Sequence, residues 1–178
     1  VSRSLTMIQK YFKGAMPEPQ TESREEHELK KAALSLVDTY ERVMVELGFH
    51  KALIAIWEFI NQVNRYIVAM EPWVLAKADK GRLATVIFHI YESLKIISAL
   101  IWPFMPGSAE KLQQQLGLEV AGGAFTLDLV RNWGDGKPSG PVVKGEALFP
   151  RVENKPVPEP VKKFPEFLPE IDFDQFQK

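Results

Sequence analysis

Cysteine is absent from the 178 residues, which excludes disulfides, thiol catalysis and any metal site built on thiolates. Histidine is scarce. The three that occur, His27, His50 and His89, stand far apart in the chain, so a histidine-rich metal site is not expected. An excess of either charge is missing too: 22 basic side chains meet 23 acidic ones, for a formal net charge of -1. That balance excludes coating nucleic acid by bulk charge and still allows a local basic face. No apolar run reaches the ~20 residues needed to span a bilayer. The best candidate, Ile87 to Met105, is interrupted by His89, Glu92 and Lys95 and ends in Trp102-Pro103. A cytosolic chain with no membrane partner is therefore expected. What is present, 46% hydrophobic and 25% charged residues, is the composition and length of one ordinary globular domain.

Helical periodicity fills the first two-thirds. Val1, Leu5, Ile8 and Phe12 form a stripe from the first residue onward, without a capping signal, so the chain reads as a piece of something longer. After the turn-rich Gly14 to Pro19, Ser23 and Glu26 make the S-x-x-E capping box of a second helix. Its stripe is Leu29, Ala33, Leu36, Val37, Tyr40, Met44 and Leu47, and Gly48 stops it. A third helix, from about His50 to Met70, is apolar on more than one side, which predicts a central position; Pro72 ends it. A break over Trp73 to Lys80 precedes a fourth helix, from about Gly81 to Ile101, also apolar over more than one stripe, so the third and fourth together are expected to form the centre; a fifth runs from about Gly107 to Leu116. The fold class is thus all-α, an antiparallel bundle of about five helices with short links. From Leu118 onward glycine and proline recur every few residues, and Pro156-Val157-Pro158-Glu159-Pro160 must be extended. Residues 1-152 are read as the bundle with a returning tail, and residues 153-178 as a proline-rich linker.

No enzyme motif is found. Gly122-Gly123 lacks the spacing and the preceding strand of a phosphate loop. The histidines have no serine or cysteine nucleophile beside them, and His89 is read as a satisfied structural residue. Catalytic, metal and cofactor sites are all absent from this reading. Two places suggest a binding surface instead. On the first helix, Arg3 faces away from the apolar stripe, with Lys10 and Lys13 near it and no acid before Glu18; this is either a solvated face or a local anion site. Trp73 follows a helix-breaking proline, outside every stripe. It either caps the core, as Trp57 and Trp102 would from inside their helices, or offers a platform on which an unpaired base stacks.

The run Asn61-Gln62-Val63-Asn64-Arg65-Tyr66-Ile67 followed by Glu71-Pro72-Trp73-Val74-Leu75-Ala76-Lys77 closely resembles the anticodon-binding helical domain of methionyl-tRNA synthetases. Val1-Ser2-Arg3-Ser4, Lys10-Tyr11-Phe12, Pro103-Phe104-Met105-Pro106, Leu116-Gly117 and Leu148-Phe149-Pro150-Arg151 stand in the family's order, so the likeness spans about residues 1-152. It implies that Trp73 stacks on the cytosine of the CAU anticodon and that Arg3 also contacts the anticodon. An asparagine that the family places four residues before this arginine would precede Val1. The family's catalytic motifs, H-x-G-H and K-M-S-K-S, do not occur here. The resemblance thus implies a parent methionine-tRNA ligase that uses ATP with magnesium, its catalytic domain elsewhere in the same chain, and methionine tRNA as the partner. Glu170-Ile171-Asp172-Phe173-Asp174-Gln175-Phe176 is similar to the lead-in to an appended tRNA-binding module that dimerises many bacterial members; the parent would then be a homodimer and this piece a monomer. The rival reading is a helical scaffold that binds protein, and a third is the anticodon domain of another class I synthetase. Arg3 and Trp73 exposed on one face would favour RNA, and a buried Trp73 would favour the scaffold.

Overall fold

The computed structural model describes residues 1-118, 127-135 and 138-150. Gly122-Gly123, Arg151 and the whole proposed linker, 153-178, lie outside the described residues, as does the lead-in from Glu170. Six α-helices follow one another: α1 (Ser2–Phe12), α2 (Arg24–Val45), α3 (Phe49–Met70), α4 (Pro72–Ala78), α5 (Lys80–Leu100) and α6 (Pro106–Gln115), and then a 3-10 turn at Leu127–Val130. No strand occurs among the described residues.

The start of α2 is the expected capping box, in which the Glu26 carboxylate accepts from the Ser23 backbone N–H at 2.7 Å. Gly48 ends the turn into α3, and α2 packs along α3. The expected break at Trp73 to Lys80 holds one more helix. Pro72 does end α3, and it also starts α4 at its first position, where its missing N–H costs nothing and its fixed φ is already helical. The hinge is Glu71, held at φ 42, a left-handed conformation uncommon for a residue with a β-carbon.

The centre of the bundle is α5, and α3 does not share that place. α5 is buried almost all round, from Leu83 through Leu100, with Phe88 half-buried, and α1, α2, α3, α4 and α6 all pack on it. By length and composition α5 alone among the described helices could cross a membrane, a departure from the expectation that no segment could; instead 94% of its apolar window is buried inside the bundle. α3 buries a single stripe, Ala52, Ile56, Phe59, Val63 and Tyr66. Its second apolar side, Ile54, Trp57 and Val68, is exposed, so Trp57 is not a core residue. Trp102 is half-buried and its indole N–H donates to Glu110 at 3.2 Å.

The polar residues that interrupt the apolar run of α5 fasten the later chain to it. Lys95 Nζ lies 2.7 Å from Glu92 Oε2, both fully buried. Glu92 also accepts the Gly134 N–H at 2.9 Å, and Lys95 donates to the Asp135 carbonyl. Burial pushes the Glu92 carboxyl above the ordinary range even beside this lysine. His89 is buried as expected, but it is only half satisfied. Nδ1 sits 2.9 Å from the Thr85 carbonyl, which accepts its proton. Nε2 approaches Glu22 to 3.2 Å without the alignment of a hydrogen bond. Burial holds the imidazole below the ordinary histidine range, and a neutral ring with its proton on Nδ1 has only a lone pair to offer this carboxylate.

The described tail returns along the body. The Val142 N–H donates to the Gly14 carbonyl at 2.8 Å and the Val143 N–H to Gln115 at 2.9 Å, and Val142 is fully buried. At Gly117, φ is +69 and an added Cβ would meet the Gly140 carbonyl oxygen at 2.4 Å, so this crossing requires glycine. The strap brings Lys144 beside the N-terminal turn of α1.

Candidate nucleic-acid interface

On α1, Leu5 and Ile8 are fully buried, and this anchoring turns the positions at steps of three and four from Arg3 outward. Arg3, Thr6, Met7 and Lys10 therefore share a face. Across from them α3 presents Asn64, Ile67 and Val68, α4 presents Trp73, and the strap presents Lys144; together they line one open cleft of about 850 Å³. Arg3 and Trp73, singled out in the sequence for separate reasons, are thus two walls of the same cleft. Both are exposed, Trp73 to 47%, so the tryptophan is not a cap on the core.

The electrostatics are one-sided. Among the described residues, Arg3, Lys10 and Lys144 line the cleft and no aspartate or glutamate does. Lys10 Nζ also stands 5.4 Å from the centre of the Tyr11 ring, a cation–π contact. Lys13 does not belong to the cleft; it caps α1 in the left-handed region at φ 53. Val1, assigned to the apolar stripe, is instead 42% exposed at the cleft's rim. A groove of about 420 Å³ between α2 and α3 makes the contrast, because Glu25 and Glu28 line it beside Arg65. It would repel a phosphate backbone.

An aromatic face, three cations and an amide, with no acid among the described residues, suit an unpaired nucleotide. The indole can stack on a base, the amide can donate and accept at a base edge, and the cations can neutralise phosphates. Asn64 lies inside the motif quoted above, yet its place in the cleft was not foreseen; Val68 one turn on reads as core surface in the sequence, and only the structure shows it exposed. Lys144 carried no signal, because only the path of the returning strap brings it here. Among the described residues no cluster of His, Asp or Glu could hold a metal ion.

A family model described as the anticodon binding domain of methionyl tRNA ligase matches residues 16–165. The chain belongs to that family. The methionine–tRNA ligase of Caldanaerobacter subterraneus subsp. tengcongensis is 40% identical in an alignment that covers 86% of this chain and 24% of that protein. The Streptomyces coelicolor methionine–tRNA ligase is 36% identical in an alignment that covers 87% of this chain and 30% of its own length. Among solved structures, the apo form of Mycobacterium tuberculosis methionyl-tRNA synthetase superposes with a TM-score of 0.77 at 29% identity, over 86% of this chain and 31% of that one. A further structure of that synthetase is bound by methionyl-adenylate. The chain thus spans about a quarter to a third of the proteins it matches. The all-α anticodon-binding fold expected from the sequence is the one these relatives share, and the scaffold reading loses its support.

Proposed function

We propose that the Arg3–Trp73 cleft reads the CAU anticodon of methionine tRNA for a methionine–tRNA ligase of which this chain is one domain. The observation that supports it most is the meeting of Arg3, Asn64 and Trp73 in one exposed cleft that no acid lines among the described residues. Trp73 is the platform for cytosine, and Arg3 donates to a base edge or a phosphate. Stacking tolerates any base, so the choice of cytosine rests on hydrogen bonds at its Watson–Crick edge, and Asn64 is placed to join Arg3 there. ATP and magnesium act in the catalytic part of the ligase, which works in the cytoplasm. The ligase is a homodimer through its appended module, and the linker 153–178 leads there.

Trp73→Ala in the full-length protein tests this reading. It should cost roughly 1–3 kcal/mol of affinity for a CAU anticodon stem-loop while the melting temperature holds. With three cations in the cleft, log affinity should fall with log salt at a slope of about -2 to -3. An early-melting Trp73→Ala protein that still separates CAU from other anticodons would make the tryptophan structural.

A further inference from the structure

The platform residue sits on a short excursion of the chain. α4 leaves α3 at Glu71 and rejoins α5 at Asp79, seven residues of helix between two joints. Its own packing is modest: Pro72 is buried, Leu75 and Ala76 are half-buried, and Trp73, Val74, Lys77 and Ala78 are exposed. The entry joint is strained, because Glu71 has a left-handed φ of 42 and precedes a proline. A conformation of this kind persists only where its surroundings over-determine it.

Arg82, in the first turn of α5, touches both joints. Its backbone N–H donates to Asp79 Oδ1 at 2.9 Å and fixes the exit of α4. Its guanidinium Nη2 lies 3.3 Å from Met70 Sδ, on the last residue of α3 before the strained hinge. The same guanidinium is held from behind by Glu26 of α2 through a two-pronged pair, Nη1 to Oε2 at 2.8 Å and Nη2 to Oε1 at 2.8 Å. Glu26 is fully buried and also accepts from the Tyr66 hydroxyl of α3 and the Ser23 N–H. Three helices thus meet on one carboxylate. A planar fork fits this geometry; a lysine ammonium would keep the charge and lose the second prong.

We infer that Arg82, locked by Glu26 and Tyr66, is a positioning residue that sets α4 and so holds Trp73 in the anticodon cleft. Arg82 lines no part of the cleft, and it acts on RNA only through the tryptophan. The inference rests on the reading of the cleft given above.

A double-mutant cycle in the full-length protein separates the two, with a CAU anticodon stem-loop as probe, thermal melts alongside, and methionine-dependent ATP–pyrophosphate exchange as control. Arg82→Lys should weaken stem-loop binding about 5- to 10-fold where Trp73 is present and less than about twofold in Trp73→Ala, because removing the platform removes what Arg82 positions. Pyrophosphate exchange should not change. Met70→Leu keeps the volume of the hinge contact, removes the sulfur acceptor and folds even if Arg82→Lys does not; it should show the same dependence on Trp73 at a smaller size. Equal losses in both backgrounds, or a lower melting temperature with unchanged affinity, would overturn the positioning role and leave the cleft intact. A Trp73→Ala protein with undiminished binding would overturn both.

Discussion

α3 and α5 are nearly the same length, 22 and 21 residues, and both are apolar on more than one side. They nevertheless play opposite parts. α5 buries almost its whole circumference, polar residues included, whereas α3 buries one stripe and leaves Ile54, Trp57 and Val68 in water. Surplus apolar surface on a helix therefore has two outcomes. On α5 it is answered by five packed neighbours; on α3 part of it becomes the wall of a cleft, through Ile67 and Val68. What separates them is the chemistry of the intervening polar positions. Those of α5, His89 Nε2 excepted, find buried partners, as in Glu92 with Lys95 and Gly134, and the Ser98 hydroxyl donating to the Lys95 carbonyl. Asn61, Asn64 and Arg65 of α3 stay exposed.

The largest expected effect tests the core half of this contrast. Ile90 is 1% exposed, so Ile90→Ala should cost ~2–5 kcal/mol in a denaturant melt. Ile60 of α3 is half-buried and its truncation should cost about 1–2 kcal/mol, in proportion to the area lost. Equal losses at the two sites would erase the distinction between the helices.

Next comes acid. Burial by itself would raise the Glu26 carboxyl, but the hydrogen bonds from Arg82, Tyr66 and Ser23 outweigh it and hold the group down at about 2. A carboxylate lowered in the folded state stabilises fully above its ordinary value, and that stability is lost as pH falls toward 2. Urea melts from pH 6 to pH 2 should show this decline, and Glu26→Gln should be less stable at pH 6 with a shallower decline. An unchanged slope would mean that Glu26 is not the group that titrates.

Much of the bundle was legible because its signals are local: the Ser23–Glu26 box, Gly48, Pro72, and the periodicity of α1, α2, α5 and α6. The central place of α5 was legible too, but the same signal set α3 beside it, since apolar content alone cannot say which surface finds neighbours. α4 was missed because a proline that ends one helix also starts the next, and a left-handed Glu71 has no sequence signature. At the site, Arg3 came from its face on α1 and Trp73 from its place outside every stripe. Lys144 and Arg82 depend on contacts between residues distant in the chain, such as the 56-residue span from Glu26 to Arg82, which no local pattern encodes.

The smallest expected effect lies on the exposed face of α3. Trp57 is 48% exposed, much like Trp73 at 47%, and it shares a helix face with Asn64, two turns or about 10 Å away at 1.5 Å per residue. It lies outside the cleft. Exposure is therefore matched between the two tryptophans and surroundings are not: Trp73 lines the cleft with Arg3, Lys10 and Lys144, and Trp57 does not line it. If a platform needs cations to hold the phosphates of the base it stacks, Trp57→Ala should change stem-loop affinity by less than about twofold, against the 1–3 kcal/mol expected at Trp73. Its effect on stability should stay within about 0.5 kcal/mol, as for most exposed positions. A loss of affinity as large as that of Trp73→Ala would extend the interface two turns along α3 and show that an exposed indole on this face suffices without the cluster of charge.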